Sequence, residues 1–148
     1  ANRGTRYKAT FLKRVVASDY SELVLENSPQ ILSTLKISDD AYAAYTEGMY
    51  RVCNTPEGSG WDVFNDFQVT VAGKTGTAEH GGGTGTSDNA AFICFAPYEK
   101  PEIAVSTYFE QGGYGGDSCS VAAKILTAYF ADSVAAIENS TTYENSPN

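Results

Sequence analysis

The sequence predicts an α+β fold: a three-stranded antiparallel β-sheet with a C-terminal helix packed on it, plus an N-terminal hairpin and helix. Three observations lead there. Residues 69–77, 90–96 and 103–109 are short runs of β-branched, aromatic and small apolar residues, bounded by glycine and proline. Tyr98-Glu99-Lys100, between Pro97 and Pro101, is too short for a parallel crossover and suits an antiparallel pair. Residues 118–136 repeat apolar side chains at helical spacing.

The elements follow in order. Tyr7, Ala9 and Phe11 alternate within Arg6–Val16, and Glu22–Glu26 follows the Ala17–Ser21 turn, which together predict one β-hairpin closed by Pro29. Ser38 is placed as an N-cap, with Asp39 and Asp40 in the first turn where the helix dipole favours them. Tyr42, Tyr45, Met49 and Val52 recur on one side of a helix over 39–53, as a core stripe. Asn54–Asp66, with Pro56, Gly58 and Gly60, reads as a loop. Residues 90–96 are apolar on both faces, which predicts a central strand covered above and below. Ile103–Phe109 is the third strand. Gly112–Gly116 leads into a helix capped by Asp117 or Ser118, whose apolar arc is wide enough to require a second contact besides the sheet. Glu138–Asn148 is polar and expected to be disordered.

Composition bounds the function. With 148 residues and 42% hydrophobic content the chain can bury one modest core, and one domain is the natural count. A formal net charge of −8 argues against nucleic acid as a partner. No apolar run approaches the roughly 20 residues of a membrane helix. Asn2-Arg3-Gly4 resembles a helix end followed by a turn, so the chain reads as a piece of something longer. Cys53, Cys94 and Cys119 are too far apart for a metal knuckle, and one histidine cannot complete a site; no metal and no cofactor are expected. Cys94 reads as a small buried hydrophobe, and Cys119, near a helix start, is the one thiol with a route to activation. Asn139-Ser140-Thr141 matches a glycosylation sequon without supporting context.

Val69-Thr70-Val71-Ala72-Gly73-Lys74-Thr75-Gly76-Thr77 is the segment with a chemical purpose. Strand-forming residues give way to two glycines beside a lysine and two threonines, a profile that lets an extended, anionic ligand lie against an edge strand. Gly73-Lys74-Thr75 is not the end of a P-loop. The required earlier glycine is Gln68, residues 69–72 are strand-like, and Gly81–Thr86 is a glycine-rich loop where a phosphate-holding helix is needed.

A strand carrying Lys-Thr-Gly-Thr, a glycine-rich loop and then an apolar strand ending in Phe95-Ala96-Pro97 resembles the penicillin-binding transpeptidase family, in particular its class B enzymes of septal, elongation or sporulation type. The similarity spans residues 1–135 in element order, opening residues included. It implies that residues 1–137 are the C-terminal part of such a domain, with 138–148 a tail. The resemblance further implies acyl transfer through a serine on D-alanyl-D-alanine stem peptides, blocked by β-lactams. Lys74 is then the cation that biases proton transfer and attracts the substrate carboxylate. Thr75 and Thr77 hydrogen-bond that carboxylate, the Thr77 N–H is half of the oxyanion hole, and Gly76 keeps the approach clear. Alternation points Lys74 opposite to the threonines, so one ligand reaches all three only by lying along the edge.

Two further family motifs have look-alikes here. Ser33-Thr34-Leu35-Lys36 matches Ser-x-x-Lys, yet it precedes a different helix start at Ser38 instead of opening a buried one. Ser87-Asp88-Asn89 matches Ser-x-Asn but follows Lys-Thr-Gly, where the family places it before, and Ser146-Pro147-Asn148 matches as well. Both are rejected, as is a His80–Ser87–Asp88 triad within one glycine-rich loop. The expectation is a stretch of a D,D-transpeptidase that lacks its nucleophile and is silent alone, from an extracytoplasmic, membrane-anchored parent whose anchor lies elsewhere. Its partners are the stem peptide or a β-lactam and the rest of its own domain. Without that remainder, an open 103–109 edge and an apolar face predict self-association. A non-catalytic penicillin-sensing domain on the same scaffold and a serine β-lactamase fragment stay open as alternatives.

Overall fold

The computed structural model describes residues 1–79 and 87–144, with side chains through Ala131. Two compact units emerge, residues 1–42 and 43–148.

The first unit contains two short antiparallel ladders where one hairpin was expected. β1 (Thr5–Tyr7) pairs with β4 (Ile31–Thr34), and β2 (Arg14–Val16) pairs with β3 (Leu23–Glu26). Pro29 therefore does not close the motif. It turns the chain into β4, a strand that sequence patterning missed because all four of its residues are exposed and show no alternation. Arg3 and Gly4, both at positive φ, make the turn into β1. The Arg3 guanidinium bonds Asp39 and lies 4.4 Å from the centre of the Tyr42 ring.

Helix α1 (Asp39–Asn54) starts where expected, with the Ala41 N–H donating to Ser38 Oγ at 3.2 Å. Its buried positions are Thr46 and Cys53; Tyr45 is exposed and Tyr42, Met49 and Val52 are half-buried. The helix is rotated from the predicted stripe: Cys53, near its C-terminal end, is the side chain that joins the core with Phe64 and Val71, and the upstream tyrosines stay outside that cluster. Within the expected loop Trp61–Phe64 forms a further turn of helix, α2, which carries the buried Phe64 inward.

The second unit holds the predicted sheet. β5 (Ala72–Ala78), β6 (Asn89–Ala96) and β7 (Ile103–Phe109) are antiparallel in the order β5-β6-β7, with Lys74 opposite Ile93 and Ile93 opposite Ser106. On one face, Phe92, Cys94 and Val105 pack with Cys119, Ala122, Leu126 and Phe130 of α3 (Cys119–Glu144), and Cys53 and Phe64 complete that core. Contact with α2 supplies the second surface that the helix's arc required. The other face is covered only in part. Phe95 is buried and stacks on Tyr98, which meets Tyr50, but Ile93 is half exposed, so β6 is not covered on both sides along its length. β7 ends the sheet among the described residues, with Tyr108 and Phe109 exposed. The α3 backbone runs beyond the expected end at about residue 136, since Ala135 to Glu138 contain no breaker. No helix among the described residues is long and apolar enough to cross a membrane.

Candidate functional site

Strand β5 is a rim strand, paired only with β6 among the described residues. Its two glycines differ in kind. A Cβ on Gly73 would sit 2.4 Å from Phe92 Cζ and 3.0 Å from the Ile93 carbonyl oxygen, so the core ring itself excludes a side chain. A Cβ on Gly76 would meet only Ala91, at an ordinary 3.6 Å. The fold needs the first glycine and not the second. Something other than internal packing accounts for a bare backbone at Gly76.

Lys74 is exposed, on the sheet face that includes Ile93, and its ammonium donates to the Thr75 carbonyl at 2.6 Å. No carboxylate pairs with it among the described residues. Thr75 and Thr77 alternate to the opposite face, in register with Phe92 and Ala90. Each hydroxyl is held. Thr75 Oγ1 lies 2.7 Å from Ser59 Oγ, which the turn after α1 brings in. Thr77 Oγ1 accepts the Gly115 N–H at 3.0 Å, from the 3₁₀ turn Gly115–Ser118 that precedes α3. An N–H only donates, so Thr77 spends a lone pair there and keeps its own proton for an acceptor elsewhere. Gly115 is required at that spot: a Cβ would come within 2.4 Å of the Gly76 carbonyl oxygen. Upstream, Asn54 Nδ2 bridges the Tyr50 and Val71 carbonyls at 2.7 and 2.8 Å, tying α1 to the entry of β5.

The arrangement therefore offers an exposed ammonium on one side of the strand and two anchored hydroxyls on the other, with an unobstructed backbone between. The edge away from β6 is the one locus all three groups share. An extended anion fits it; a compact one does not.

The look-alike motifs lie elsewhere. Ser33 is in β4 opposite Arg6, on no helix. The Asp88 carbonyl accepts the Gly113 N–H and Asn89 Oδ1 the Gln111 N–H, so that pair braces the β7 exit. His80, Gly81–Thr86 and Ser146–Asn148 lie outside the described residues. Burial, not activation, governs the thiols. Desolvation pushes Cys53 and Cys94 up to about 12 and Cys119 up to about 11. Among the described residues no cluster of histidine, cysteine and carboxylate side chains could hold a metal. Sequence reasoning missed Ser59 and Gly115. The hint for Ser59 was the Gly58-Ser59-Gly60 turn between α1 and α2, and for Gly115 a glycine-rich entry to α3.

Residues 1–131 match the family model of the penicillin binding protein transpeptidase domain. Peptidoglycan D,D-transpeptidase MrdA of Haemophilus influenzae is 31% identical over 111 residues, 67% of this chain and 17% of that protein. Penicillin-binding protein 2B of Streptococcus pneumoniae R6 superposes with a TM-score of 0.73 at 25% identity, over 88% of this chain and 22% of that one. Penicillin-binding protein A of Mycobacterium tuberculosis, solved as a ceftriaxone acyl-enzyme complex, shares the fold with a TM-score of 0.64 at 24% identity, over 86% of this chain and 29% of that one. The chain spans about a fifth of the length of the curated relatives it matches.

Proposed function

The chain belongs to the penicillin binding protein transpeptidase domain family, and on that premise we propose that it is the substrate-orienting wall of a peptidoglycan D,D-transpeptidase. Its substrate is the D-alanyl-D-alanine end of a stem peptide, and β-lactams compete as mimics. The nucleophilic serine and its base come from a part of the longer relatives that these residues do not span. The parent works outside the cytoplasm, held at the membrane by an anchor elsewhere.

The observation that carries this reading is Gly76. It is a bare position that internal packing does not demand, flanked by an exposed ammonium and a hydroxyl whose proton is directed away from its partner. The peptide lies antiparallel along the β5 edge. Lys74 leaves the Thr75 carbonyl to meet the terminal carboxylate, and Thr75 and Thr77 donate to the same group. At the reacting carbonyl the Thr77 N–H supplies one donor of the oxyanion hole, while Lys74 lowers the cost of the negative charge that develops. These groups bind, orient and polarise, and bond making belongs to the absent serine. The same logic makes residues 1–148 inactive alone. The open β7 edge supports self-association of the isolated chain; a monodisperse monomer by light scattering at high concentration counts against that.

The test uses ¹⁵N-labelled chain titrated with an N-acylated D-alanyl-D-alanine dipeptide as free acid and as C-terminal amide. The acid shifts the β5 amides and binds more tightly than the amide, and Lys74→Ala abolishes the difference. Equal response to both ligands overturns the assignment.

A further inference from the structure

The first unit contains a cleft that plays no part in the β5 site. β1–β4 and β2–β3 lie along the same two stretches of chain: Tyr7 pairs with Ile31 at the end of one ladder, and Arg14 with Glu26 at the start of the next. Between them residues 8–13 face residues 27–30. The stretches differ in length, so they cannot pair residue for residue, and the ribbon opens. Its rims are pinned. The Lys8 N–H donates to the Gln30 carbonyl at 2.8 Å, the Asn27 N–H to the Lys13 carbonyl at 2.9 Å, and Asn27 Nδ2 to the Leu12 carbonyl at 3.0 Å. The opening has a volume of about 800 Å³, and Tyr7, Lys8, Lys13, Glu26, Asn27 and Gln30 line it.

That lining selects a ligand class. One aromatic ring cannot hold an apolar molecule, whose sites are predominantly hydrophobic. Two ammonium groups offset by the Glu26 carboxylate leave one net positive charge, too little for a polyphosphate or a nucleic acid backbone. The side-chain amide of Gln30 both donates and accepts, as a polyol with acetamido groups requires. The Tyr7 ring, 46% exposed, offers a flat face to the C–H side of a sugar. One unbalanced lysine matches one carboxylate. The wider unit agrees: residues 1–42 hold six of the ten basic residues but five of the eighteen acidic ones.

We propose that this cleft binds a carboxylate-bearing saccharide: the peptidoglycan glycan at a muramyl residue whose lactyl carboxyl carries no stem peptide and is therefore free. The choice of saccharide rests on the transpeptidase reading; the requirement for a singly anionic, hydroxyl-rich ligand comes from the cleft. Lys8 and Lys13 select the carboxylate, and Gln30 and Tyr7 hold the ring.

The experiment titrates the ¹⁵N-labelled full chain with the disaccharide of N-acetylglucosamine and N-acetylmuramic acid, whose lactyl carboxylate is free, and with neutral N,N′-diacetylchitobiose. The acidic disaccharide shifts the Lys8, Asn27 and Gln30 amides saturably and binds at least about tenfold more tightly than chitobiose, the loss of one charge-assisted contact. The double variant Lys8→Gln/Lys13→Gln weakens it by a similar factor. Both lysines are exposed and only their backbone groups pin the rims, so the ladders persist and the ¹⁵N spectrum verifies it. Lys74→Ala leaves saccharide binding unchanged. Absence of shifts at these amides, equal binding of chitobiose, or indifference to the double variant each overturns the proposal. Saccharide shifts here without dipeptide shifts on β5 support the cleft and overturn the transpeptidase reading; the converse does the opposite.

Discussion

Replacing Gly73 and Gly76 separately by alanine adds the same methyl group three residues apart on one strand, and the structure assigns the two changes opposite outcomes. At Gly73 the new Cβ meets Phe92 Cζ at 2.4 Å and Cε2 at 2.5 Å. The ring is 1% exposed and stacked 5.6 Å from Phe64, so it has nowhere to swing. The third neighbour, the Ile93 carbonyl oxygen, belongs to the ladder itself. Overpacking of a filled core costs about 1–3 kcal/mol, and a clash with a ring and a backbone atom together belongs at the upper end, about 3 kcal/mol. In a chain of this length that lowers Tm by roughly 10 °C. At Gly76 the methyl makes one ordinary contact with Ala91. Removing a strand glycine lowers unfolded-chain entropy, so Gly76→Ala is neutral or stabilising by about 0.5 kcal/mol. Its cost falls on the ligand: the methyl occupies the approach, and the dipeptide acid no longer shifts β5. Urea or thermal unfolding gives the first comparison and the NMR titration the second. Equal destabilisation by both variants, or undiminished dipeptide binding by Gly76→Ala, refutes the division of labour between the glycines.

Three further outcomes follow from the same geometry. Thr77→Val strands the half-buried Gly115 N–H and costs about 1–3 kcal/mol, whereas Thr77→Ser retains the acceptor and costs little; hydrogen exchange at the Gly115 amide reads the difference directly. Ser59→Ala frees the Thr75 hydroxyl while lowering stability by only about 1 kcal/mol, so it weakens dipeptide binding more than unfolding midpoints suggest. The thiols make stability fall in alkali. Folded Cys53 and Cys94 titrate near 12 and Cys119 near 11 against an ordinary value of 9.0, so above pH 9 the unfolded chain has released protons the folded one keeps. The stabilisation is complete below pH 9 and declines by up to ~1.4 kcal/mol per pH unit per thiol as pH climbs toward the folded values. Urea midpoints under reducing conditions at pH 8, 9.5 and 10.5 check this, and a flat series refutes it.

The sheet was legible in the sequence because each strand carries its own local signal. β-Branched runs end at glycine or proline, and Tyr98–Lys100 is too short to permit anything but an antiparallel turn. β4 was not legible. Its four exposed residues lack alternation, and its partner β1 lies most of a hairpin away in sequence. The rotation of α1 was hidden for a related reason. Spacing put Tyr42 and Tyr45 on the buried stripe, but the core takes Cys53 and, at its margin, Val52 from this helix, and their packing with Phe64 and Val71 is not written in local spacing. At the site, Lys74, Thr75, Gly76 and Thr77 stood out as residue types, while Ser59 and Gly115 did not. Their bonds to the strand span 16 and 38 residues, and no local pattern encodes such a pairing.

Those two partners change what the strand can do. A rim strand with free threonines would lose side-chain entropy on meeting a ligand, about 0.5–1.5 kcal/mol for each rotamer-rich group it immobilises. Here Ser59 and the Gly115 N–H fix Thr75 and Thr77 beforehand, and both holding elements pack on the α3 side, away from Lys74. Lys74 is the one group that has to reorganise, and its resting partner is a backbone carbonyl and not a carboxylate. Exchanging a neutral acceptor for an anionic one is favourable, whereas leaving a carboxylate would have opposed binding. On the proposed reading, discrimination between free acid and amide resides in the lysine, and the two threonines set the geometry. It follows that Lys74→Ala erases that discrimination while Thr75→Val lowers affinity for acid and amide alike; the reverse pattern would mean that charge recognition lies elsewhere on the edge.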